Sequence, residues 1–123
     1  MMPFERLEAW QCSHLLTLEV YRATDAWPNR ELYGLTAQAR RAAVSICANI
    51  AEGAAKRGRK EFGRFLDMAL GSFSELTYLL LLSRDLGIMR PEEGQAVEAL
   101  RGEVGKLLWG LYRRVRPTLG DTP

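Results

Sequence analysis

Residues 33–65 read YGLTAQARRAAVSICANIAEGAAKRGRKEFGRF, and this stretch decides the fold. Gly34 and Thr36 open a helix, Thr36 serving as an N-cap whose hydroxyl accepts from a free backbone N–H. Leu35, Ala39, Ala42, Ala43, Ile46, Ile50 and Gly53 recur at spacings of three and four, so one face of this helix is buried and the helix ends near Gly53. A short basic turn follows, carrying Lys56, Arg57, Arg59, Lys60 and Arg64 against the single acid Glu61. A new helix starts within residues 58–61.

The flanking sequence repeats the pattern. Downstream, Phe62, Phe65, Leu66, Ala69, Phe73, Leu76 and Leu80 share one helical face, and Gly87 stops that helix as a left-handed C-cap. Pro91 suits the first position of a further helix, and Glu92 and Glu93 complement its positive dipole end. Val97, Leu100, Val104, Leu107, Leu108, Leu111 and Val115 form its stripe, Pro117 ends it, and residues 118–123 read as a frayed tail. Upstream, a helix over residues 7–26 places Leu7, Trp10, His14, Leu18 and Tyr21 on its buried face, with Leu15 beside them, until Trp27-Pro28-Asn29 breaks it. No segment alternates with a period of two. The 123 residues therefore form a single all-α domain, an antiparallel up-down-up-down four-helix bundle.

The second and third helices carry more apolar surface than one bundle covers. From Ala42 to Ala51 there is no charge, and Val44, Ala48 and Ala51 lie opposite the core face. Leu79, Leu80, Leu81 and Leu82 point all round the axis within about one turn. A helix apolar on two sides needs two covers, so a second copy of the chain is expected against Val44, Ala48, Ala51, Leu79, Leu81 and Leu82. Small residues on helix 2 favour close approach of another helix. Gly102, Gly105 and Gly110 either do the same on helix 4 or mark an unconstrained surface. Asn49 and Glu75, amid apolar neighbours, suggest a buried polar network, whereas Gln38 reads as a solvated edge.

Catalytic chemistry is poorly supported. His14, the only histidine, falls on the apolar stripe and reads as a core residue. Cys12 is two residues away and so on another helix face, which disfavours a Cys–His pair. There is no HxxxH, ExxH or multi-carboxylate pattern, so neither a metal nor a cofactor is expected. The segment GAAKRGRK at 53–60 lacks the Lys-Ser/Thr ending of a phosphate loop and follows a helix where that motif needs a strand. Two distant cysteines do not describe a disulfide framework. The N-terminal MMPFERLEAW lacks the layout of a signal peptide, and the apolar run at 68–83 contains Glu75 and falls short of the ~20 residues a membrane span requires. A cytoplasmic, non-enzymatic protein is expected, with no membrane contact.

The basic turn is the remaining functional signal. Five positive side chains within nine residues, beside a helix N-terminus, suit phosphate contacts. Arg113, Arg114 and Arg116 form a second cluster at the end of helix 4. The net charge is only +2, so a solvated charge run is the plain alternative for one copy, and several copies in an oligomer would sum their potentials. No interleaved aromatic in the turn stands ready to stack on bases, so binding led by phosphates and weak in sequence preference is expected.

Phe4-Glu5-Arg6-Leu7-Glu8-Ala9-Trp10, Tyr33-Gly34-Leu35-Thr36, Arg40-Arg41-Ala42-Ala43-Val44-Ser45-Ile46, Ala48-Asn49-Ile50-Ala51-Glu52-Gly53 and Lys60-Glu61-Phe62 occur in order along the chain. Together with Leu70-Gly71-Ser72 and Glu75-Leu76, they resemble the four-helix-bundle proteins encoded in intervening sequences of bacterial large-subunit ribosomal RNA genes. That family is similar in fold to the accessory variability proteins of diversity-generating retroelements. The resemblance implies a homopentamer with a basic surface that binds RNA or DNA and associates with a reverse transcriptase. A scaffold that binds a protein partner and touches no nucleic acid is the other reading. The chain departs from the family at Cys47, where a proline commonly follows Ser-Ile, and at Gly58, where a serine commonly caps helix 3.

Overall fold

The computed structural model describes residues 1–116. Four helices carry the architecture: α1 (Glu8–Thr24), α2 (Leu35–Ala54), α3 (Arg59–Asp85) and α4 (Pro91–Val115). Short 3-10 turns at Pro3–Arg6 and Asn29–Glu31 precede α1 and α2, and no strand occurs among the described residues. The expected helix stop at Pro117 and the tail at 118–123 lie outside them.

Each helix packs against its two neighbours in a closed cycle, α1 on α2, α2 on α3, α3 on α4 and α4 on α1. The α1–α2 and α3–α4 pairs run antiparallel on direct contacts. Arg40, in the first two turns of α2, bonds Thr24 at the end of α1, and Arg59 at the start of α3 bonds the last carbonyls of α4. The core contains the fully buried Leu16, Ile46, Ile50, Leu66, Leu76 and Leu108. The apolar residues expected on the faces of α2, α3 and α4 pack in or against it, except Phe65, which is buried beneath Lys56 and Arg64 instead. Gly58 (φ 85°) and Gly87 (φ 73°) take left-handed conformations that bracket α3, so the glycine that departs from the family's serine cap is required by the turn as built.

The α1 face is a correction. Its buried stripe is Ala9, Ser13, Leu16, Val20, Ala23 and Thr24, whereas Leu15, Leu18 and Tyr21 are 52%, 39% and 42% exposed. Ser13 and Thr24 can be buried because their hydroxyls donate to the carbonyls of Ala9 (2.6 Å) and Val20 (2.7 Å), which leaves a small, satisfied surface. His14 is exposed and stacks on Trp10 with ring centres 5.1 Å apart, so it is not a core histidine.

The N-terminus of α2 is a second correction. Thr36 is buried inside the helix, Gly34 occupies the cap position, and the Glu31 carboxylate accepts from Leu35 N–H at 3.3 Å.

Length and composition alone would let α3 cross a membrane, a correction to the short span read from sequence, and 44% of its most apolar window is buried inside the bundle. Packing against α2 and α4 accounts for those side chains, as expected of a core helix.

Candidate nucleic-acid interface

The basic turn between α2 and α3 owes its shape to Gly58, whose positive φ reverses the chain and starts α3 one residue later. Lys56, Arg57, Arg59, Lys60 and Arg64 are all exposed there. Their surroundings differ. Lys56 lies over the Phe65 ring at 5.3 Å, and Arg64 lies over the same ring at 5.6 Å while pairing with Glu61 at 3.6 Å. These exposed contacts are weak and leave both charges facing solvent.

Arg59 has a separate task. Its guanidinium donates to the carbonyls of Arg114 (2.7 Å), Val115 (3.1 Å) and Arg116 (3.5 Å), the unpaired acceptors at the end of α4. It caps one helix from the first turn of another. Arg59→Ala is expected to cost about 1 kcal/mol, the lower range for a charge-assisted bond at an exposed site. Faster amide hydrogen exchange at residues 112–116 is the direct readout, and unchanged exchange there would refute the capping role.

Through that bond the fold brings the two basic clusters together. Arg113, Arg114 and Arg116, all exposed, stand at the same end of the bundle as the turn. Arg6 adds to them, lining with Arg114, Leu107 and Leu111 a cavity between the start of α1 and the end of α4. Part of this charge is explained by local stability, since Arg113 and Arg114 in the last turn of α4 complement its helix dipole by about 0.3–1 kcal/mol each.

The apolar faces divide between core and surface. Val44 is 44% exposed, Ala48 is exposed and Ala51 half-buried, in line with an uncovered α2 face. Leu79 is a correction: at 4% exposure it belongs to the chain's own core, because it projects between α3 and its packed neighbours. Leu82 is half-buried against that core, and only Leu81 of the three is well exposed, at 43%. Tyr21, Arg40, Arg41, Val44, Ser45 and Ala48 line a shallow groove along the outer side of α2. Reading α1 in the wrong phase hid the contribution of Tyr21 to it.

The expected polar network is present in part. Asn49 donates to the Ser45 carbonyl (2.9 Å) and hydroxyl (3.1 Å), and Ser45 shares a hydrogen bond with Ser72 of α3 at 2.8 Å. Glu75 is exposed and outside it. Of the helix-4 glycines, Gly105 sits closely against the chain's own α3, where a Cβ would lie 3.0 Å from the Phe73 ring, while Gly102 faces open space.

Neither cysteine supports nucleophilic chemistry. Burial raises the pKa of Cys47 in spite of a contact with Thr17 Oγ1 at 3.4 Å, and burial together with Glu103 raises that of Cys12. Both thiols stay protonated near neutrality. No metal-type cluster of three or more ligands exists among the described residues.

These features define an all-α four-helix bundle with one basic end and an uncovered apolar groove. The family model of the 23S rRNA-intervening sequence protein matches residues 5–110, and the chain belongs to that family. No curated protein matches it.

Proposed function

We propose that the chain is a non-enzymatic, homo-oligomeric bundle of the cytoplasm that binds nucleic acid, RNA foremost, through its basic end. The observation that carries this reading is the union of the Lys56–Arg64 cluster with Arg113, Arg114 and Arg116 at one end, linked by Arg59. Phosphate contacts dominate such binding and make it salt-dependent. Self-association rests on the groove along α2 and on the exposed Leu18, Tyr21 and Val44, with five subunits the number implied by the family resemblance.

The test is a titration of nuclease-treated protein with labelled RNA and duplex DNA between about 50 and 300 mM salt. Changing Arg57, Lys60 and Arg114 together to alanine avoids the Arg59 cap. The slope of log affinity against log salt is expected to flatten by about 2–3, at roughly 0.7–0.9 per lost phosphate contact. An unchanged slope would remove the basic end from the interface.

The α2 groove also favours a second reading, a scaffold for a protein partner such as a reverse transcriptase. On that reading wild-type protein binds nucleic acid negligibly at every salt, and Val44→Glu abolishes capture of the partner.

A further inference from the structure

The turn between α2 and α3 lacks aromatic residues, but the adjoining face of α4 has them. Lys106, Trp109, Tyr112, Arg113 and Arg116 recur at spacings of three and four over the last turns of α4 and share one side of the helix. Trp109 is 46% exposed. Its indole and the Tyr112 ring form a T-shaped pair, with centres 5.9 Å apart and planes at 85°, an arrangement that steadies the half-exposed indole. Arg113 reaches back to the Trp109 carbonyl at 3.3 Å, and the Arg116 guanidinium lies 5.8 Å from the centre of the Tyr112 ring. The Asp67 carboxylate raises the pKa of the Tyr112 hydroxyl, so that ring stays neutral.

Lys106, Arg113 and Arg116 share this side of α4 with the indole, and lysine is depleted at the cores of protein–protein contacts. A base has an aromatic face and brings phosphates with it, so it satisfies both the indole and its neighbours. Lys106 and Arg113 are seven residues apart, about 10.5 Å along the axis, with Trp109 between them. Every base offers a π-face, but only an unpaired one can expose it.

We infer that Trp109 is a stacking platform for an unpaired nucleobase, flanked by phosphate contacts at Lys106 and Arg113, so that the basic end takes single-stranded nucleic acid in preference to duplex. This rests on the nucleic-acid reading above and specifies its ligand.

The test compares full-length wild type, Trp109→Ala and Trp109→Phe. The probes are a single-stranded RNA of about twelve nucleotides and the same strand annealed to its complement. Trp109 is exposed, so both variants should keep the wild-type helical circular dichroism. Loss of one stacked base is expected to weaken single-strand binding about 5- to 150-fold in Trp109→Ala. Trp109→Phe keeps most of the affinity, duplex binding moves less than twofold, and the salt slope is unchanged because no charge is removed. Salt-sensitive wild-type binding with Trp109→Ala unaffected, or with both probes weakened equally, overturns the platform and leaves the basic interface standing. Absence of wild-type binding to either probe overturns both. A change in oligomer size with no change in binding reassigns Trp109 to a contact between proteins.

Discussion

Leu79→Ala destabilises the bundle by about 2–5 kcal/mol, while Leu81→Ala, two residues away, costs less than about 1 kcal/mol. Leu79 is 4% exposed and part of the continuous core, whereas Leu81 is 43% exposed. Truncating a buried leucine loses its transfer free energy and leaves a cavity that rigid neighbours fill only in part. Because whole domains are stable by only about 5–15 kcal/mol, Leu79→Ala is a large fraction of the total. Urea unfolding followed by circular dichroism reads both variants, with the midpoint moving and the slope constant. If the wild-type midpoint rises with protein concentration and that of Leu79→Ala no longer does, the side chain belongs to a subunit contact after all.

Gly53→Ala is the second large effect, and it runs against helix propensity. Alanine inside a helix is favoured over glycine by about 1 kcal/mol. At Gly53, however, a Cβ would stand 2.8 Å from Phe65 Cβ and 2.9 Å from Phe62 Cδ1, at the close crossing of α2 and α3. The Phe65 Cβ is fixed to its backbone and cannot rotate away, so the helices must separate. Overpacking of this kind costs about 1–3 kcal/mol and outweighs the propensity gain. The matched control is Gly102→Ala, where a Cβ meets nothing within 4 Å and stability should rise by about 0.5–1 kcal/mol. Opposite signs for the two changes are the expected outcome. A stabilising Gly53→Ala would mean that the α2–α3 crossing is looser than described.

The bundle was legible wherever large apolar residues repeat with helical period. The α3 and α4 stripes, the α2 seam, the stop at Gly87 and the helix start at Pro91 all lie where their chemistry puts them. The phase of α1 was not legible, because its core face is built from alanine, serine and threonine while Leu15, Leu18 and Tyr21 remain outside. Hydropathy ranks Leu18 above Ser13, but the Ser13 hydroxyl is satisfied by its own helix and small enough for close packing. Thr36 failed as a cap for a related reason: Glu31, upstream of the helix, supplies the acceptor. The basic turn was evident as composition. Its union with Arg113, Arg114 and Arg116 was not, since adjacency between α3 and α4 exists only in three dimensions.

The departure at Cys47 has a local account. α2 continues through that position, and the Thr17 hydroxyl lies 3.3 Å from the Ala43 carbonyl, the acceptor that a proline at 47 would deprive of its helical N–H. The same hydroxyl also touches the Cys47 sulfur, so either residue at 47 finds a polar neighbour on α1.

The Arg59 bonds to the end of α4 bear on timing. Residues 55 apart in sequence are joined there, and closing so long a loop carries an entropic cost that grows with its length. That cost falls on folding and is already met when a ligand arrives. The start of α3 and the end of α4 therefore hold their charges at one end of the bundle. On the proposed nucleic-acid reading, a polyanion docking there would not have to order the protein and would keep more of each contact as affinity.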